Sequence, residues 1–409
     1  MAPSPAHRLP LAGLKVIELS HLIAGPYCAM LMATEGAEVI KVEPPQGELT
    51  RVRDPVRRTA KGEMSVYYAA LNRGKKSLAL DLKNAAGLST FRDLLKNADV
   101  LITNMRGGAL ERLGLHPHTL HMDFPRLIIA SISGFGLERA GAFKDRAGLA
   151  MVAEALSGTT SLTRDHNGNP VWCGFALGDV AAAMTAHSAI LLALRNQDKF
   201  NEGRVLDIAL AECTLPMACV ALARVQGADA VLAAKAGAND YHGVPYGAFA
   251  AKDGYVNIGV NSDVFWRRLC QAMNKPELAT DPRYATYLAR VDHQHEVLAL
   301  TEAFTRQHTR EELTTMISKA DVPVASILNM HEVLANEYYK GRGALRTVDD
   351  GVGGSLMLPT NPTRFEDEHA PSKLPQLGEH RDEVLRAHLG LGRQQIEALA
   401  ARGAFGAQS

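Results

Sequence analysis

The chain of 409 residues is longer than one hydrophobic core usually organises, so two domains are expected. Apolar residues make up 46% and charged residues 22%, the balance of a globular enzyme, and Lys plus Arg equal Asp plus Glu at 44 each. That neutrality excludes an overall field for nucleic acid or an anionic membrane, so any anionic ligand must be held by local groups.

The N-terminal stretch "MAPSPAHRLPLAGLKV" lacks the basic segment and apolar core of a signal peptide. "LKVIELS" (Leu14 to Ser20) predicts a strand and "AGPYCAMLMATEG" a helix, with Pro26 in the tolerated first turn and Gly36 as the stop. "AEVIKVE" (Ala37 to Glu43) is the next strand. "KSLALDL", "AAGLSTFRDLLKNA" and "DVLITNM" repeat the strand, helix, strand order, and "PRLIIASISGFG" (Pro125 to Gly136) adds a further strand. Strands alternating with helices predict a parallel sheet covered on both faces. The first strand–helix turn, "SHLIAGPYC", has no G-x-G-x-x-G, and no G-x-x-x-x-G-K-[ST] occurs anywhere. The expected sheet is therefore Rossmann-like without a dinucleotide cradle or a P-loop.

"GFALGDVAAAM" (Gly174 to Met184) places Asp179 before an apolar, helix-forming run. Two readings stay open here: an N-cap carboxylate serving the helix, or a charge held at the mouth of a cleft for chemistry. The most apolar window, Leu206 to Ala223, contains Asp207, Glu212 and Pro216, which predicts a core helix rather than a membrane span. From about residue 227 the texture changes. "YGAFAAKDGYVNIGV" (Tyr246 to Val260) is a hairpin with an Asp253-Gly254 turn, followed by helical patterns near 262–273, 294–307 and 310–319 and the strand "PVASIL". The expected organisation is a large Rossmann-like domain over residues 1–226, a smaller α+β domain over 227–330, and a return segment over 331–409 ending in two helices.

The cysteines Cys28, Cys173, Cys213, Cys219 and Cys270 show no C-x-x-C spacing, so neither a disulfide framework nor a zinc site is indicated. They read as small buried residues of a cytosolic protein. The histidine clusters "HPHTLH" (His116, His118, His121) and "DHQHE" (His293, His295) lack an i, i+4 pair with a third ligand, so no metal is expected. No serine sits in a G-x-S-x-G elbow. Among the basic residues, "NMRGGALERLG" (Asn104 to Gly114) follows a strand, and Arg106 and Arg112 stand near a carboxyl-end crevice where a phosphate is readily clamped.

Taken together, "AGPYCAMLMATEGAEVIKVEPPQGELTR", "NRGKKSLALDLK", "ADVLITNMRGGALERLGL", "IASISGFG", "EALSG", "GFALGDVAAAM", "GRVLDIALAE" and "LGEHRDEVL" resemble, in this order, the class III CoA-transferases, the formyl-CoA and carnitine CoA-transferase family. The resemblance implies an interlocked homodimer and makes Asp179 the nucleophile. It implies CoA binding by Ile23 and Ala24, by Leu80 and Lys83, by Asn104, Met105 and Arg106, and by Arg112. It implies acyl-CoA and a small carboxylic acid as substrates, with succinyl-CoA and a short dicarboxylate favoured, and no permanently bound cofactor.

Where the best-known members carry a glycine-rich acid-binding loop, this chain has "YHGVPYG", so His242 and Gly243 are the acceptor candidates. A racemase of the same superfamily needs bases flanking the α-carbon, and Leu149 and Ala150 stand where its His and Asp would be. A non-catalytic CoA-binding protein would need Asp179 to be a cap alone.

Overall fold

The structure, a computed structural model, describes residues 9–137, 141–143, 146–165, 167–227, 243–363 and 373–406. The chain divides into two compact units. The first comprises residues 1–161, 170–218 and 338–409, and the second residues 162–169 and 219–337.

The first unit begins with strand β1 (Lys15–Leu19), helix α1 (Ala24–Thr34) and strand β2 (Glu38–Glu43). A short hairpin, β3 (Val56–Thr59) and β4 (Gly62–Ser65), leads into α2 (Val66–Asn72) and β5 (Lys76–Ala79). Then come α3 (Ala85–Leu95), β6 (Val100–Thr103), α4 (Gly107–Arg112), α5 (Pro117–Asp123) and β7 (Ile128–Ser133). Helices α6 (Ala150–Leu156) and α7 (Leu177–Phe200), strand β8 (Val205–Ala209) and helix α8 (Leu210–Thr214) follow.

Six strands form one sheet in the order β5-β2-β1-β6-β7-β8, and every pairing is parallel. Both faces are covered, which is why the strands read as continuous apolar runs. Along β1, Val16 points into the core that holds α1 and α7, with Cys28, Met32, Ala182 and Ile190. Its neighbour Ile17 points into the core on the other face, with Phe91 and Leu94 of α3. The first two crossovers carry the chain outward from β1 to β2 and β5, and β6 returns to pair on β1's other side. The carboxyl ends of β1 and β6 therefore flank a topological switch point, where open α/β sheets bind ligands.

The window Leu206 to Ala223 is not one core helix. "VLDIA" pairs with β7 as an edge strand, and Leu210–Thr214 turns helical only after it. The alternation of Val205, Asp207 and Ala209 with Leu206 and Ile208 fits a strand, a period the high apolar content concealed. Among the described residues one helix, α7, is long and apolar enough to cross a membrane by length and composition, and 39% of its apolar window is buried.

The main stretch of the second unit starts with α9 (Cys219–Gly227). It contains the antiparallel sheet β11-β10-β9, made of β9 (Tyr246–Ala251), β10 (Gly254–Gly259) and β11 (Val324–Ser326). Helices α10 (Asp263–Ala272), α11 (Tyr287–Asp292), α12 (Gln294–Thr305), α13 (Arg310–Lys319) and α14 (Met330–Ala335) accompany it, around a core of Trp266, Leu269, Val297, Leu313 and Ile317. The chain then returns through α15 (Glu337–Gly341), the hairpin β12 (Leu345–Asp349) and β13 (Ser355–Pro359), and helices α16 (Arg381–Leu389) and α17 (Arg393–Ala401).

Candidate active site

Asp179 is the third residue of α7, not its cap. Ala176 occupies the cap position, and its side chain makes no cap hydrogen bond. Leu177 donates its N–H to the Phe175 carbonyl, Gly178 donates to Glu154 Oε1 at 2.9 Å, and Val180 donates to the Ala176 carbonyl. Among the described residues the Asp179 N–H meets no acceptor. A helix start that offers one open N–H beside a carboxylate differs from the several expected from an uncapped end. Gly178 makes this arrangement possible, because a Cβ there would lie 3.2 Å from the Ala150 backbone, where α6 crosses.

The Asp179 carboxyl is half-buried and pushed up to about 6, first by burial and then by the nearby Glu154 charge. The positive end of a helix is worth about 0.3–1 kcal/mol to a nearby anion. Here burial and the like charge outweigh it, so the helix end does not hold this carboxyl low. Tyr67 on α2 feels the Asp179 charge, and its phenol is raised, chiefly by burial. The Arg53 guanidinium lies 5.2 Å from the Tyr67 ring centre.

The second part of the site lies at the switch point. Asn104, just beyond β6, accepts the His21 N–H at 2.9 Å and donates to the His21 carbonyl at 2.7 Å, so both ends of its amide hold the turn after β1. Leu22 in that turn has φ +63°, unusual for a branched residue and a mark of an over-determined backbone. Below the turn lies a buried ionic group in which Glu18 faces Lys41 at 2.8 Å and Lys75 at 2.7 Å. Lys41 also donates to the Ser20 carbonyl, and Glu18 is held down to about 2 by the two lysines against its desolvation. The His21 imidazole is lowered mainly by burial, with Lys41 and Arg106 adding to the effect and Glu48 opposing it.

The residues expected at the CoA site fall into different situations. The turn carrying Ile23 and Ala24 and the segment Asn104 to Arg106 are brought together by the His21–Asn104 bonds. Asn104 has its amide committed to protein, Met105 packs against the core, and Leu80 is buried, so Leu80 presents only backbone. Lys83, Arg106 and Arg112 are exposed, the two arginines at either end of the short α4. Gly243 is buried, and a Cβ there would come within 1.8 Å of the Val260 carbonyl oxygen, so its glycine character is accounted for by packing. The following residue, Val244, is fixed by the buried Arg290, whose Nε donates to the Val244 carbonyl at 2.8 Å. His242 lies outside the described residues. Glu154, Tyr67, Trp172 and His21 were not singled out from the sequence. Glu154 stands in the quoted "EALSG" segment, but only the folding of α6 onto α7 reveals what it faces.

The family model for CoA-transferase family III matches residues 11–381. The chain belongs to CoA-transferase family III. Among its relatives, the succinyl-CoA–D-citramalate CoA-transferase of Chloroflexus aurantiacus is 33% identical, over 96% of this chain and 97% of that protein. The succinate–glutarate CoA-transferase of Agrobacterium fabrum is 34% identical, over 94% of this chain and 97% of that one. The crystal structure of a CAIB/BAIF family protein from Brucella suis superposes with a TM-score of 0.80 at 30% identity, covering 93% of this chain and 99% of that one. As a family III enzyme the protein transfers CoA to a carboxylic acid and takes CoA thioesters as substrates.

Proposed function

We propose that the protein moves CoA from succinyl-CoA to a short dicarboxylic acid, with Asp179 as the nucleophile. The observation that carries this reading is a half-buried carboxyl, raised to about 6, beside an unclaimed backbone N–H at the start of α7. A carboxylate in water is a weak nucleophile because it is well solvated, and partial burial next to a bound thioester removes that protection. As an acidic first-turn residue Asp179 favours the helix by about 0.3–1 kcal/mol, which its burial beside Glu154 outweighs, so helix stability does not explain the side chain.

In the proposed sequence the Asp179 carboxylate attacks the thioester carbonyl, the C–S bond breaks, and CoA leaves as a thiolate from a mixed anhydride. The thiolate then attacks the aspartyl carbonyl, the donor acid leaves as its carboxylate, and an aspartyl-CoA thioester remains. The acceptor carboxylate attacks that thioester to give a second mixed anhydride, and the thiolate attacks the acceptor carbonyl, restoring Asp179. Each step conserves the acyl energy without water or ATP. The open Asp179 N–H is a donor for the developing oxyanion. Arg106 and Arg112 serve the CoA phosphates, and His242 meets the distal group of the acceptor. A dicarboxylate pair is supported by the names of the relatives. A racemase is disfavoured because Leu149 and Ala150 offer no base. An interlocked homodimer completes the proposal.

The test is a matrix of acyl-CoA donors against free acids, read by mass spectrometry, together with borohydride trapping of the aspartyl-CoA intermediate. We expect turnover with succinyl-CoA and a dicarboxylate, an adduct on Asp179, and no turnover in Asp179→Ala. Wild-type turnover in a folded Asp179→Ala protein refutes the nucleophile. His242→Ala is expected to change the acceptor profile while leaving the adduct intact.

A further inference from the structure

Glu154 is only 2% exposed, yet among the described residues it forms no ion pair. Its two carboxylate oxygens are answered by neutral donors alone: Oε1 by the Gly178 N–H at 2.9 Å and Oε2 by the Trp172 indole N–H at 2.8 Å. Burying a carboxylate without a cation costs several kcal/mol. A glutamine would keep an acceptor oxygen for the helix end and give up only the bond from the half-exposed indole, since its NH2 cannot accept from Trp172. One neutral hydrogen bond repays about 1 kcal/mol of that cost, so the charge itself needs an explanation beyond capping. It stands one helical turn after Ala150, on the face of α6 that meets the first turn of α7.

We propose that Glu154 is a positioning residue for the nucleophile: it fixes the first turn of α7 and the Trp172 segment around Asp179, and its charge keeps the Asp179 carboxylate poorly stabilised until it attacks. The proposal rests on the assignment of Asp179 as nucleophile. During attack the negative charge leaves Asp179 for the thioester oxygen, so repulsion present before the reaction relaxes in the transition state. An interaction that differs between the two states alters kcat rather than binding. The groups around Asp179 are consistent with this. Glu154 faces it from α6 and Tyr67 from α2, with Arg53 over the tyrosine ring. Of these the Glu154 charge is the one that raises the Asp179 carboxyl alongside burial.

The experiment compares kcat against pH for wild type and Glu154→Gln at saturating acyl-CoA, with adduct trapping on the same wild-type preparation. Removing the like charge is expected to move the acidic limb of kcat down by about one pH unit and to lower kcat on the plateau, with KM for acyl-CoA within about twofold. A folded variant whose acidic limb has not moved overturns the role of Glu154. Absence of any wild-type adduct on Asp179 instead refutes the nucleophile assignment, so the two failures are distinguishable. If Glu154→Gln does not fold, Trp172→Phe decides, because the indole is 45% exposed and its loss removes one of the two bonds holding Glu154. That variant is expected to lower kcat and leave KM unchanged, and an unchanged kcat overturns the proposal.

Discussion

Asp179, the proposed nucleophile, is held in its fold at a cost in stability. A carboxyl of this kind ordinarily titrates at 3.8, and in the folded protein it is raised to about 6. Between those values the native state keeps a proton that the unfolded chain has released. Stability therefore falls as pH rises through this window, and the whole cost is present above about pH 6. Asp179→Asn removes that cost. We expect it to be more stable than wild type by about 1–2 kcal/mol at pH 8, allowing for the partial exposure of the site, with the gain gone by about pH 4. Calorimetry at both pH values reads the difference, and equal unfolding temperatures at pH 8 would contradict it. The same substitution is expected to abolish transfer. A residue whose loss improves the fold and stops the reaction is held in place by function rather than by capping.

At the scale of elements, the central strands and the hairpin were legible because their apolar periods and turn residues are local. β1, β2, β7 and the Tyr246–Gly259 hairpin all fall within the stretches read from sequence. Two small hairpins, β3–β4 and β12–β13, went unread, since "VRRTAKGEMS" and "LRTVDDGVGGSLMLP" carry charge and glycine where apolar alternation would signal strands. At the candidate site, segments could be named but not the use made of each side chain. Asn104 looks like a ligand contact in sequence, whereas the fold commits its amide to the backbone of His21. That distinction is measurable. Asn104→Ala is expected to lose about 1–3 kcal/mol of stability and to raise KM for acyl-CoA, because the turn after β1 loosens. Arg106→Ala or Arg112→Ala, at exposed positions, is expected to raise KM about tenfold with stability unchanged, and to have no effect on a pantetheine thioester that lacks the nucleotide phosphates. Equal loss of stability in all three variants would remove the distinction.

At the scale of the whole molecule, the first unit carries large apolar side chains that stay exposed among the described residues. Met151 and Leu156 on α6, Met184 and Leu192 on α7, with Phe175 before that helix and Met217 after α8, are all at least 47% exposed, Leu192 reaching 70%. Large apolar residues grouped on neighbouring elements of one unit mark a surface that meets another apolar partner. A second copy of the chain suits the proposed chemistry, because covering α6 and α7 shields the start of α7 from water that would hydrolyse an aspartyl anhydride. Light scattering at micromolar concentration is expected to give twice the chain mass of 44.1 kDa. Leu192→Glu places a charge on the most exposed of these side chains and is expected to shift the mass toward one chain. The monomer is expected to hydrolyse acyl-CoA faster, relative to transfer, than the dimer does, since water then reaches the intermediate. A wild type that sediments as a single chain, or a monomeric variant with an unchanged ratio of transfer to hydrolysis, would separate this surface from catalysis.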